Sequence, residues 1–221
     1  MDDPAMRGSA STAEKAYTER LIRKQMVWWK RFIDVQAPYR WNLRRIEPGF
    51  TLEIGCGIGR NLLHLKGNGV GVDHSLHSLE IARARGCRAF TPEEFKRSEY
   101  SQPETFDSLL LAHVAEHMTA AEASALLREY LPQLKATGKI IIITPQERGF
   151  ASDATHVEFV DWQNIRTILQ PLGFAPVQEY SFPFPRFFGT LFIYNEFISI
   201  SQRTQAAEPA PVEPGSRTSR A

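Results

Sequence analysis

The sequence predicts an α/β fold: a doubly wound, mostly parallel sheet of seven strands whose last strand is antiparallel, preceded by an N-terminal helix. Three observations predict it. From about residue 50, short β-rich runs alternate with helical segments, the pattern of a parallel sheet with right-handed crossovers. Glycines stand where those helices must stop, at Gly86, Gly138 and Gly173. After Gly173 the alternation ceases, and two runs follow with no long crossover between them, which implies antiparallel pairing.

Taken in order, residues 1–11 are small and polar and are expected to be disordered. Residues 12–45 are expected to form an N-terminal helical segment. Ser11 and Glu14 have capping-box spacing, and Tyr17, Leu21, Ile22, Met26, Trp29, Phe32 and Ile33 recur at helical intervals. The main domain is expected over 46–202. Its strands are predicted at 50–54, 69–73, 88–90, 106–111 and 139–143, with a terminal pair at 176–182 and 194–201. Helices are predicted at 60–65, 79–85, 120–134 and 161–172. The tail, 203–221, is rich in Pro, Ala and Ser without apolar periodicity, and is expected to be disordered.

Composition bounds the function. Apolar residues make up 43% and charged residues 23%, with a net charge of +1, so no large field exists for gripping a polyanion and no nucleic-acid partner is expected. Cys56 and Cys87 are too few for a disulfide framework or a four-ligand zinc site, and a reducing cytoplasm is the simplest home. Asp2 and Asp3 stand where a signal peptide needs base, and no apolar run approaches the roughly 20 residues of a membrane span.

The chemistry concentrates after the first strand, where Thr51-Leu52-Glu53-Ile54 runs into Gly55-Cys56-Gly57-Ile58-Gly59 and a helix follows at once. Glycines at such a turn let backbone N–H groups approach a nucleotide-like ligand. The dinucleotide pattern G-x-G-x-x-G is not met, because Arg60 occupies its last position. The second strand, Val70-Gly71-Val72-Asp73, ends in a carboxylate suited to two ribose hydroxyls. The bland alternative is a tight turn, with Asp73 capping the next helix.

An acidic residue followed by G-x-G-x-G, with an acid ending the second strand, resembles the class I S-adenosylmethionine (SAM)-dependent methyltransferase family, whose fold is Rossmann-like. The resemblance covers about residues 45–201 and extends to two later segments: Glu104 to Met118, like the family's fourth strand and turn, and Leu131 to Pro145, like its glycine turn and fifth strand. It implies SAM as cofactor. Gly55, Gly57 and Gly59 would lie against it, Glu53 would order the loop and Asp73 would hold the ribose. Cys56, Ala112 and His113 would complete the wall. Family members often contact the adenine through an Asp after the third strand, whereas this chain has Phe90-Thr91-Pro92-Glu93-Glu94-Phe95.

Methyl transfer from a sulfonium needs alignment and, for many acceptors, removal of a proton. The candidate bases are His113, His117 and His156, all near strand ends; His156 is favoured because similar family members carry a His there. Glu116 is expected to orient His113 or His117, or simply to start a helix. The turn after the fourth strand lacks the Asp/Asn-Pro-Pro-Tyr sequence of several amine-methylating relatives. No carboxylate cluster suggests Mg²⁺, so no metal is expected.

The acceptor pocket is expected to draw on the N-terminal helix, Tyr39-Arg40-Trp41-Asn42, the loop around His156, and the aromatic segment 182–188. The basic residues of the N-terminal region read as a solvated helix face. The reading is therefore a methyltransferase acting on a small-molecule or glycan/lipid-type acceptor, at oxygen rather than nitrogen. RNA or protein methylation, a non-catalytic SAM-binding role and a nucleotide-binding oxidoreductase are the alternatives. Oligomeric state is left open, a homodimer being one option.

Overall fold

A computed structural model describes residues 34–204. The expected helix opening at Ser11 and the tail beyond residue 204 lie outside the described residues. Among the latter, no helix is long and apolar enough to cross a membrane.

Fourteen elements follow in chain order: α1 (Ala37–Arg45), β1 (Thr51–Ile54), α2 (Arg60–His64), β2 (Gly69–Val72), α3 (Leu76–Ala84), β3 (Ala89–Phe90), α4 (Pro92–Lys96), β4 (Phe106–Ala112), α5 (Ala120–Tyr130), β5 (Leu134–Pro145), α6 (Glu147–Phe150), α7 (Trp162–Leu169), β6 (Phe174–Phe182) and β7 (Glu196–Arg203). They build a 7-stranded sheet in the order β3-β2-β1-β4-β5-β7-β6. Strand β7 runs antiparallel to both its neighbours and the other pairings are parallel. The expected terminal hairpin is present, with its second strand inserted against β5.

Element ends moved for local reasons. Helix α5 stops at Tyr130 rather than Leu134, and a 3₁₀ turn spans Leu131–Gln133. Pro132 has no N–H with which to continue the α-helix. This frees Leu134 to pair with Phe106, so β5 begins five residues before the expected Lys139. Pro171 acts alike: α7 ends at Leu169, and Gly173 closes the turn at φ 75°. Helix α3 starts at Leu76 rather than Leu79, because the Ser75 hydroxyl accepts from the Ser78 N–H at 3.2 Å.

The sheet buries both faces, and successive strand residues divide between them. Leu52, Ile54, Leu109, Leu111, Ile140 and Ile142 pack with Leu127 of α5 and Ile165 and Ile168 of α7. Leu110, Ile141, Ile143, Ile198 and Ile200 pack with Leu43 and Ile46 on the other side. Each fully buried aliphatic side chain contributes roughly 1.5–3 kcal/mol.

Strand order reverses between β1 and β4, so the connections that leave their carboxyl ends run to opposite sides of the sheet. The opening between them is where an open α/β sheet binds its ligand.

Candidate active site

The first glycine turn sits at this opening. Gly55, Gly57 and Gly59 all have positive φ. At Gly55 a Cβ would come within 2.4 Å of Val114 Cγ2, so the loop packs directly on the turn after β4. At Gly57 a Cβ would meet no protein atom within 4 Å, which leaves open space over this backbone.

Asp73 follows β2 and is buried. Its Oδ2 accepts from the Gly57 N–H at 2.7 Å and its Oδ1 from the Ser75 N–H at 2.9 Å. Each oxygen retains a lone pair for a ligand hydroxyl. The expected helix cap passes to Ser75; Asp73 instead ties the glycine loop to the second strand.

Glu53 is 2% exposed, and its Oε1 accepts from Asn61 Nδ2 at 2.7 Å while Oε2 has no partner. Burial pushes its pKa up to about 8, against the Asn61 hydrogen bond. At neutral pH the group is therefore largely protonated, and a cationic ligand beside it would favour the ionised form. Cys56 turns its side chain into a core cluster with Leu62, Leu79 and Ala82, and its N–H donates to Val72 O at 3.1 Å. Burial raises its thiol pKa strongly, so it fills space as an inert thiol.

Beyond β4, Ala112 is buried and His113 adopts φ 58°. The imidazole of His113 is held from both sides, by Glu196 Oε1 at 2.8 Å from Nε2 and Glu116 Oε1 at 3.4 Å from Nδ1. Burial alone would favour the neutral ring, but the two carboxylates win and push its pKa up to about 9. At neutral pH this ring keeps its proton and cannot accept another.

His117 and His156 meet, with ring centroids 4.8 Å apart. His117 Nδ1 lies 3.1 Å from Thr155 O, and His156 Nδ1 lies 2.7 Å from Phe150 O. A carbonyl only accepts, so each neutral ring carries its hydrogen on Nδ1 and presents the Nε2 lone pair. The loop bearing His156 is pinned by the Val157 N–H donating to Glu116 O at 2.7 Å. Phe150 stacks on His156 at 5.2 Å.

Several contributors were not legible in sequence. Glu196 reaches His113 across 83 residues. Its place is set by fully buried Gln146 and Asn195: Asn195 Nδ2 donates to Gln146 Oε1 at 2.9 Å, and Gln146 Nε2 donates to Glu196 O at 3.0 Å. The Tyr39 hydroxyl donates to Tyr194 O at 2.8 Å, and its ring meets Phe182 at 5.6 Å, which joins the expected pocket segments 39–42 and 182–188. Beside α6, Phe184, Phe187, Leu191, Ile193 and Tyr194 are exposed, while Arg186 pairs with Glu147. Polar residues next to an apolar strand were the one available signal for Asn195 and Glu196.

Residues 52–142 match the profile of a methyltransferase domain. The fold resembles that of a SAM-dependent methyltransferase from Archaeoglobus fulgidus, at 20% identity and TM-score 0.59, covering 75% of this chain and 93% of that one. It also resembles magnesium protoporphyrin IX methyltransferase from Synechocystis PCC 6803 with bound S-adenosylhomocysteine (SAH), at 16% identity and TM-score 0.58, covering 86% and 96%. A third likeness is to a chain from the complex of the Haloferax volcanii Trm112 methyltransferase activator with a methyltransferase, at 14% identity and TM-score 0.58, covering 93% and 100%. A comparison with curated proteins finds no match.

Proposed function

We propose that the chain is a class I SAM-dependent methyltransferase, a reading supported by the methyltransferase-domain profile that its residues 52–142 match, and that it methylates a hydroxyl oxygen of a small-molecule or glycan/lipid-type acceptor. The loop residues fit SAM: Glu53 offers an unpartnered buried carboxylate oxygen to a cationic ligand, Gly57 leaves open space, and Asp73 keeps lone pairs for ribose hydroxyls. When bound, SAM supplies an electrophilic methyl on a positively charged sulfur. The chain's own task is to align the acceptor and remove its proton.

The observation that carries this reading is the pair of imidazoles, His117 and His156, whose Nδ1 atoms are committed to carbonyls and whose Nε2 lone pairs are left to accept a proton. The exposed aromatic shelf of Phe184, Phe187 and Tyr194 supports an apolar or ring-bearing acceptor. His113, already protonated and tied to Glu116 and Glu196, braces the turn.

The test is SAH formation across hydroxyl-bearing and amine-bearing acceptors. His156→Ala should lower kcat about 100-fold or more while leaving SAM affinity unchanged. Turnover with amines alone, or an unaffected kcat in the variant, would sink the reading.

One comparison favours a second reading. The likeness to the chain from the Haloferax volcanii activator complex, spanning 93% of this chain, supports an acceptor worked on together with an activator subunit. Turnover appearing only when such a subunit is added would select it.

A further inference from the structure

We propose that Glu116, His117 and His156 form a binding site for one divalent first-row transition-metal ion, with zinc or cobalt as suitable occupants. One ligand atom from each of the three lies within 4.8 Å of the other two. Two imidazoles and a carboxylate are the donor set that such ions take, and three protein ligands leave a coordination position open. Ligand atoms on one tetrahedral ion at about 2.1 Å sit about 3.4 Å apart, so the widest pair would close by about 1.4 Å, within reach of side-chain rotation.

A second observation points independently to a cation. Glu116 is fully buried, and neither of its carboxylate oxygens has a hydrogen-bond partner. Its one charged neighbour is the His113 ring nitrogen, 3.4 Å from Oε1. Glu196 shares that ring at 2.8 Å, so two carboxylates face one imidazole, and a further positive charge at Glu116 would offset the excess.

The surroundings match what metal-bound histidines require. Each ring is oriented through Nδ1 by a carbonyl, Thr155 O for His117 and Phe150 O for His156, which fixes the tautomer with Nε2 free to ligate. The hydrogen bond from the Val157 N–H to Glu116 O locks the third ligand's loop against the first two. Glu116 and His117 are adjacent but His156 is 39 residues on, so sequence spacing gave no metal signature.

For the acceptor alone, the consequence rests on the reading above. A bound ion would replace the two imidazoles as the means of removing the proton: their Nε2 lone pairs would hold it, and its open position would bind the acceptor hydroxyl oxygen and acidify it, the proton passing to water. The oxygen–carbon bond then forms as the carbon–sulfur bond breaks, and the electron pair goes to sulfur, leaving a neutral thioether.

The full-length protein, dialysed against EDTA, is titrated with Co²⁺ by visible absorption and with Zn²⁺ by calorimetry, and each preparation is then titrated with SAM. One equivalent with ligand-field bands is expected. His156→Ala and Glu116→Gln should each weaken affinity by more than the about 100-fold that loss of an outer partner costs. His77→Ala should change nothing. No stoichiometric binding by the wild type, or equal affinity in His156→Ala with SAM binding intact, would overturn the proposal. Metal binding without SAM binding would leave this site standing and bring down the functional reading instead.

Discussion

Glu53 stores a pH dependence that can be read directly. Its carboxyl is buried beneath the glycine loop, and burial pushes its pKa from an ordinary 4.5 up to about 8. The folded chain therefore holds a proton here that the unfolded chain releases. This group's contribution to stability is fully present below pH 4.5 and is lost as pH rises through about 8. Each pH unit in that window is worth about 1.4 kcal/mol, so between pH 5 and pH 7.5 the loss is about 3 kcal/mol. Glu53→Gln keeps the oxygen that accepts from Asn61 Nδ2 and removes the titration. Urea midpoints measured across that range should show the variant gaining about 3 kcal/mol on the wild type, nearly all of it above pH 5. His64 and His113 also titrate, but they are common to both proteins and cancel in the difference. Parallel pH profiles for the two proteins would refute the buried-carboxylate argument.

Other consequences are as specific. Gly55→Ala places a Cβ within 2.4 Å of Val114 Cγ2 at φ 77°, and should cost about 1–3 kcal/mol by thermal unfolding. Adding Val114→Ala should recover the steric part and not the backbone part. Burial first, with nearby arginines, pushes the His64 pKa down to about 4, so the ring is neutral in the fold. Its contribution is present above pH 6.5 and lost as pH falls toward 4, and His64→Gln should flatten that part of an acid-unfolding curve. Arg186→Ala breaks the pair with Glu147, whose side chains are 40% and 37% exposed, so the stability change should stay within about 1 kcal/mol. Because the pair holds the aromatic segment against α6, the acceptor KM should rise while the SAM affinity holds.

Much of the fold could be read from residue pattern, because alternation of β-rich and helical runs and glycine stops are local signals. The β1 glycine turn and Asp73 were legible for the same reason: their residues are contiguous or end a strand. The errors were also local. Pro132 and Pro171 cut α5 and α7 short, and Pro132 thereby lengthened β5 backwards. The wall opposite the glycine turn was harder. His113, His117 and His156 could be named as candidates, but not their different hydrogen-bond surroundings. Those depend on Glu196, 83 residues from His113, and on carbonyls of Thr155 and Phe150 that fix ring orientation. Long-range pairings of this kind leave no periodicity, and the lack of hydrogen bonds to the Glu116 carboxylate becomes visible only when burial is known.

The central claim is tested most directly by isothermal titration of the full-length protein with SAM and SAH, beside Asp73→Asn. The substitution sets an amide N–H₂ against either the Gly57 N–H at 2.7 Å or the Ser75 N–H at 2.9 Å and removes the charge offered to the ribose. At about 1.5–3 kcal/mol for a charged hydrogen bond, the account predicts micromolar binding of both ligands, weakened about 10- to 100-fold in the variant. No binding of either ligand, or equal affinity in the two proteins, would contradict it.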